Sequence, residues 1–157
     1  MRLTKNFTLR EICKSNTAKR NGVSNIPNEI QVKAIRALAE NILQPIRDKF
    51  GITKINSGFR SIELERIVCR RRIVQEMKLG GTRRVMAYLE RKSHPKGQAA
   101  DIEVPGVDNR KLYEWIKDNL EYDQLILEYY EDDDPSSGWV HVSWNEDSNR
   151  EESFEIS

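Results

Sequence analysis

Ser93-His94-Pro95-Lys96-Gly97-Gln98-Ala99-Ala100-Asp101-Ile102-Glu103-Val104 passes from a polar turn into a run of small and β-branched residues, and reading it as a turn that delivers a buried strand decides the fold. Gly97 permits a tight reversal, while Ala99 and Ala100 leave room for the backbone to bring His94 back beside Asp101. Pro105-Gly106 closes the strand.

Downstream, Asn109 to Leu120 reads as a helix with Leu112, Ile116 and Leu120 on one face. Leu125 to Tyr129 and Trp139 to Trp144 read as apolar strands joined by the acidic turn Asp132-Asp133-Asp134-Pro135-Ser136-Ser137-Gly138. Upstream, Thr8 and Glu11 have the spacing of a capping box that opens a short helix, and the polar stretch from Asn16 to Asn28 reads as loop. Ile30, Ala34, Leu38, Ile42, Ile46 and Phe50 predict a long helix from Asn28 to Phe50, bent or restarted at Pro45. Ile52 to Ser57 is a strand, Ile62 to Arg72 a helix, and Thr82 to Arg91 another helix after the break at Gly80-Gly81. Helices first, then strands interleaved with helices and ending in a hairpin, predict an α+β fold with a mainly antiparallel sheet and flanking helices.

At 157 residues the chain has the length of one domain with its own core. With 38% hydrophobic and 32% charged residues, the composition excludes long disorder and membrane spanning, since no apolar run approaches the roughly 20 residues of a spanning helix. The N-terminal residues lead straight into a patterned segment without the apolar stretch of a secretory leader, so the expectation is a protein made in the cytoplasm, or a mature form. Cys13 and Cys69 are read as reduced thiols. The net charge of +1 conceals an asymmetry. Arg66 to Lys96 holds ten Lys or Arg against Glu76 and Glu90, whereas Glu128 to Ser157 holds ten acids against Arg150 alone.

The two histidines, His94 and His141, each stand on a strand or at its mouth, and Asp101 follows His94 by seven residues. Two His and one carboxylate are the donor set of catalytic zinc, which keeps a fourth position for water. Ser93 to Asp101 resembles the His-x-x-Gly-x-Ala-x-Asp motif of the zinc D-Ala-D-Ala carboxypeptidase and L-alanyl-D-glutamate endopeptidase family. That family includes phage endolysins and shares its fold with the hedgehog signalling domain. Ser57-Gly58-Phe59-Arg60-Ser61, Asp123 to Glu128, and Gly138 to Ser143 resemble three further family segments in the family's order. The opening Leu3 to Thr17 and the helix Leu38 to Arg47 are similar to its small phage- and bacterium-encoded branch.

The resemblance implies a single zinc peptidase domain over residues 1–157, with one zinc ion on His94, Asp101 and His141, acting on peptidoglycan peptides at the cell wall. It implies Arg60 as the side chain that holds a substrate carboxylate or carbonyl oxygen, with Ser57 and Ser143 as further substrate contacts. The chain departs from the family where many relatives place their general base, a few residues before the last His, because Gly138 and Trp139 stand there. Glu128, on the neighbouring strand, is the expected base, with Asp123 and Asp132 to Asp134 as rivals; Trp139 is expected to pack beneath the site. A second departure is the atypical basic insertion at about 62–92, which is matched to an anionic wall polymer, to nucleic acid phosphates or to the chain's own acidic tail. With Tyr88 its sole aromatic, the segment is poorly suited to stacking on single strands. A zinc-containing wall-binding domain without catalysis, and a nucleic-acid-associated protein, are the alternative functions; a monomer is expected.

Overall fold

The structure, a computed structural model, describes residues 1–157. Five strands form one sheet in the order β1-β2-β4-β3-β5, with β1 Lys54–Ser57, β2 Ala99–Glu103, β3 Gln124–Glu128, β4 Trp139–Ser143 and β5 Glu152–Ile156. All neighbours are antiparallel except β3 and β5, which run parallel. The expected α+β architecture with a mainly antiparallel sheet is therefore present, but the chain after Trp144, which shows no strand pattern, adds an edge strand.

Helices α1 (Leu9–Cys13), α2 (Asn16–Asn21), α3 (Glu29–Leu38) and α4 (Gln44–Phe50) precede the sheet. The Thr8 capping box is formed: Thr8 N–H donates to Glu11 Oε2 at 2.8 Å and Glu11 N–H to Thr8 Oγ1 at 3.3 Å. The polar stretch read as loop holds α2 instead, capped by Ser15 Oγ, which accepts from Ala18 N–H at 3.1 Å. That helix is only 6 residues long and buries one side chain, Ala18, too little apolar surface to leave a periodicity. Between α3 and α4 the backbone widens into a π turn over Ala39–Leu43. Pro45 has no N–H for the carbonyl one turn earlier, so the chain shifts register there rather than bending away.

Side chains alternate across the sheet with period two. Ala100, Ile102, Leu125, Leu127, Val140 and Val142 point into the core, where Ile35, Leu38, Ile42 and Ile46 of α3–α4 and Leu112 and Ile116 of α7 (Asn109–Asn119) cover them. The intervening positions, Asp101, Ile126, Glu128, Trp139 and His141, fall on the opposite face. Cross-strand register sets Asp101 beside His141, His141 beside Ile126, and Trp139 beside Glu128. One face is thus the floor of the core and the other the floor of a cleft.

The remaining helices form an excursion between β1 and β2: α5 (Ile62–Val68) and α6 (Arg70–Glu90), the latter breaking at Gly80–Gly81 into two arms. Within α6 only Glu76, Val85 and Leu89 are buried. Glu76 receives Arg72 Nε at 2.8 Å from its own arm and Arg84 Nε at 2.5 Å from the other. The carboxylate pins the two arms together, and the hydrogen bond from Arg84 first among its contacts holds it below the ordinary glutamate range. The acidic tail does not pair with this segment: Glu155 binds Arg110 at 2.8 Å, and Arg150 binds Asp123 at 2.9 Å. Cys13 and Cys69 are free thiols.

Candidate metal centre and cleft

His94 opens a 3₁₀ turn, His94–Lys96, which ends on Gly97 in the left-handed conformation at φ 75°. A Cβ at Gly97 would stand 2.7 Å from Gln31 O and 2.9 Å from Ile35 Cγ1, so the turn can seat against α3 only as glycine. This seating delivers His94 to the end of β2 and Asp101 into it, while β4 supplies His141. One ligand atom from each of the three residues lies within 4.8 Å of the other two, and the imidazole rings stand 5.2 Å apart between centroids.

The hydrogen-bonding pattern shows what the cluster lacks. His94 Nδ1–H donates to Gly58 O at 2.7 Å, which commits its proton and leaves Nε2 as a lone pair. That lone pair faces Asp101 Oδ2 at 3.5 Å. Burial pushes the His94 imidazole down, so it stays neutral against the pull of the Asp101 charge. Two acceptors therefore confront each other in a largely buried site, an arrangement that a cation relieves. His141 Nδ1 lies 2.9 Å from the other oxygen, Asp101 Oδ1. Burial alone would raise the Asp101 carboxyl, but the contacts with His141 and His94 hold it well below the usual carboxylate range. Two imidazoles around an ionised carboxylate match a borderline metal with N and O preferences, of which zinc is the leading case.

Above the three residues lies a cleft of about 420 Å³ whose walls carry Arg60 and Glu128. Burial first, then the charge of Asp101, raises the Glu128 carboxyl, the direction that suits a group taking up a proton near neutral pH. Trp139 Nε1–H donates to Glu128 Oε2 at 2.6 Å. The ring thus fixes the carboxylate across the β3–β4 ladder, whereas the sequence reading gave it packing alone. The other acids are placed elsewhere: Asp123 is bound by Arg150, and Asp132 to Asp134 are exposed in the β3–β4 turn.

Arg60 Nε pairs with Glu65 Oε2 at 2.6 Å, and Glu65, fully buried in α5, also accepts from Cys69 Sγ at 3.1 Å. The backbone beneath is tied by Asn25, whose Nδ2 donates to Cys13 O and Phe59 O and whose Oδ1 accepts from Ser61 N–H at 2.7 Å. Nothing in the sequence marks Asn25 or Glu65 for this task, because each acts through a contact more than thirty residues away or inside a helix read only for its apolar face. Ser57 stands opposite Asp101 at the end of β1 but lines a neighbouring groove with Arg60, not the cleft. Ser143 is buried at the end of β4, where its Oγ accepts from Gln124 N–H at 3.0 Å. Neither Ser57 nor Ser143 therefore lines the cleft as the substrate contact expected of it: Ser57 faces the neighbouring groove and Ser143 Oγ is taken up by the β3 backbone. A larger groove of about 590 Å³ beside α3, lined by Ile30, Lys33 and Trp144, contains none of the metal-binding set.

A family model described as peptidase M15 matches residues 5–143. No curated protein sequence matches the chain. Among solved structures, it is similar to a mutant of the vancomycin-resistance D,D-pentapeptidase VanY from a VanB-type cassette in complex with Zn(II), at 19% identity, covering 69% of this chain and 70% of that one, with a TM-score of 0.37. VanYB in complex with D-alanine-D-alanine is similar at 19% identity over 69% and 68% of the two chains, TM-score 0.38. The LD-carboxypeptidase LdcB is similar at 17% identity over 75% and 63%, TM-score 0.37.

Proposed function

The chain belongs to the peptidase M15 family, and from that premise we propose that it is a zinc metallopeptidase hydrolysing peptide bonds in peptidoglycan stem or cross-bridge peptides. The observation that carries this reading is the convergence of His94, Asp101 and His141 within 4.8 Å at the floor of a cleft whose walls hold Glu128 and Arg60. His94, Asp101 and His141 would hold one zinc ion, which when bound acidifies a water to a pKa of about 7 and polarises a carbonyl.

The protein's own residues complete the chemistry. Glu128 accepts the proton of the attacking water and returns it to the leaving amine; its raised carboxyl can hold that proton for the interval. Trp139 keeps the accepting oxygen oriented. Arg60, fixed through Nε by Glu65, turns its remaining guanidinium nitrogens to the carbonyl oxygen on which charge develops. We read residues 1–157 as one such domain, built on one sheet and one core. We place its action at the bacterial cell wall, as a phage-type endolysin or a wall-remodelling enzyme; no helix is long and apolar enough to cross a membrane.

The test is direct. Purified protein incubated with cell walls releases new amino termini, and chelation or His141→Ala abolishes the release; release that survives both overturns the reading.

A further inference from the structure

The excursion between β1 and β2 is more than a surface embellishment. It leaves the sheet after Arg60 and returns at His94, and Arg60 N–H donates to His94 O at 3.4 Å where the two ends meet. The excursion therefore runs along the cleft, to which its outgoing arm contributes Arg72 and its return arm Tyr88, Arg91 and Lys92.

The ion pairing of these side chains differs. Arg72 is consumed by Glu76, through Nε at 2.8 Å and Nη2 at 2.7 Å. Arg91 and Lys92 have no carboxylate within salt-bridge distance. Lys92 Nζ rests over the Tyr88 ring, 4.7 Å from its centroid, which steadies the ammonium without neutralising it. The cleft is also lined by Ile126, Glu128, Trp139 and Ile156, and its remaining cation, Arg60, is paired with Glu65. The cleft thus holds two cations without a carboxylate partner together with the proposed base and apolar surface.

Resting on the peptidase reading above, we propose that Arg91 and Lys92 form an anion subsite of the cleft that selects peptides bearing a free carboxylate beside the scissile bond. Charges left without a partner in a concave site focus field on an incoming anion, and a guanidinium and an ammonium that line the same cleft suit a carboxylate better than the neutral amide of the same shape. The substrate class is thus an acidic stem peptide, such as one with unamidated D-glutamate or diaminopimelate carboxyls. The same peptide with those carboxyls amidated is the disfavoured substrate.

The experiment compares kcat/KM of the zinc-loaded full chain on two stem pentapeptides that differ only in having these side carboxyls free or amidated. One charge-assisted contact corresponds to about a tenfold preference. The wild type should favour the free form by about that factor, and raising the ionic strength should shrink the preference. Arg91→Ala and, separately, Lys92→Met, which keeps the stem over Tyr88, should each lower the ratio towards one through a fall on the free-carboxylate peptide. Arg83→Ala removes the same charge from an exposed position of α6 outside the cleft and should leave the ratio intact. A wild-type ratio near one, or an Arg83→Ala effect as large as that of Arg91→Ala, overturns the subsite while leaving the peptidase standing. A wild type inactive on both peptides overturns the peptidase and the subsite with it.

Discussion

The contact between Trp139 and Glu128 decides how the proposed base behaves. The indole N–H stabilises the ionised carboxylate, opposing the burial and the Asp101 charge that raise it. Trp139→Phe removes that opposition while keeping a ring at the position, so the Glu128 carboxyl rises further. A base works only when deprotonated, and the acidic limb of the kcat/KM profile should therefore move to higher pH. A pH–rate profile with an unmoved acidic limb would show that another group sets it. Glu128→Gln should keep the metal, as read by elemental analysis, while lowering kcat by ~10²–10⁴-fold. Retained turnover would instead favour a binding domain on this fold.

Turns govern the site at the next scale. Gly138 ends the β3–β4 turn at φ 65°, and a Cβ there would overlap the Glu128 carbonyl and crowd Tyr129. Gly138→Ala therefore strains the hairpin that joins the base strand to the ligand strand. It should cost more than about 2 kcal/mol in denaturant unfolding, and a loss under about 0.5 kcal/mol would mean the turn relaxes freely. Among the elements that could be read from sequence are those with an apolar stripe, α3–α4 and α7, and those with a run of small or apolar residues, β2, β3 and β4. The metal set was legible because His94, Asp101 and His141 are the donor types of catalytic zinc and stand in segments that resemble a zinc-peptidase family in its order, with Gly97, Ala99 and Ala100 adding a local reason for His94 to reach Asp101. The rest was hidden for physical reasons. Exposed α2 has no apolar stripe, and the register shift at Ala39–Leu43 is caused by Pro45 without changing the pattern. Edge strand β5 is held largely by backbone pairing with β3, which any sequence supplies. Long-range polar anchors such as Asn25 leave no periodic trace at all.

For the molecule as a whole, stability has two external controls, metal and pH. Three ligands drawn from the 3₁₀ turn, β2 and β4 mean that chelation loosens elements far apart in sequence. A metal present at a hundred times its Kd adds about 2.7 kcal/mol, so Tm should drop on chelation and recover on zinc addition; an indifferent Tm would remove the metal from the folded state. Acid acts through Asp123, which burial alone would raise but which Arg150 holds below its ordinary range by hydrogen bonds from its guanidinium and backbone. A depressed carboxyl contributes stability present above its unfolded value of about 3.9 and lost as pH falls through the folded one. Arg150→Ala, which keeps the backbone donor, should shrink that acid-limb loss, by about 1 kcal/mol or less because the arginine is 57% exposed, as followed by Tm between pH 5 and 2. A final consequence concerns exchange. Because Arg60 and His94 meet in one backbone hydrogen bond, the outer hairpin Arg70–Glu90 hangs from a closed stem and shares few buried residues with the body. Such a part behaves as a cassette: lineages or engineers can replace it with a hairpin of other charge, refitting one hydrolytic chassis to new polymers without redesigning its floor.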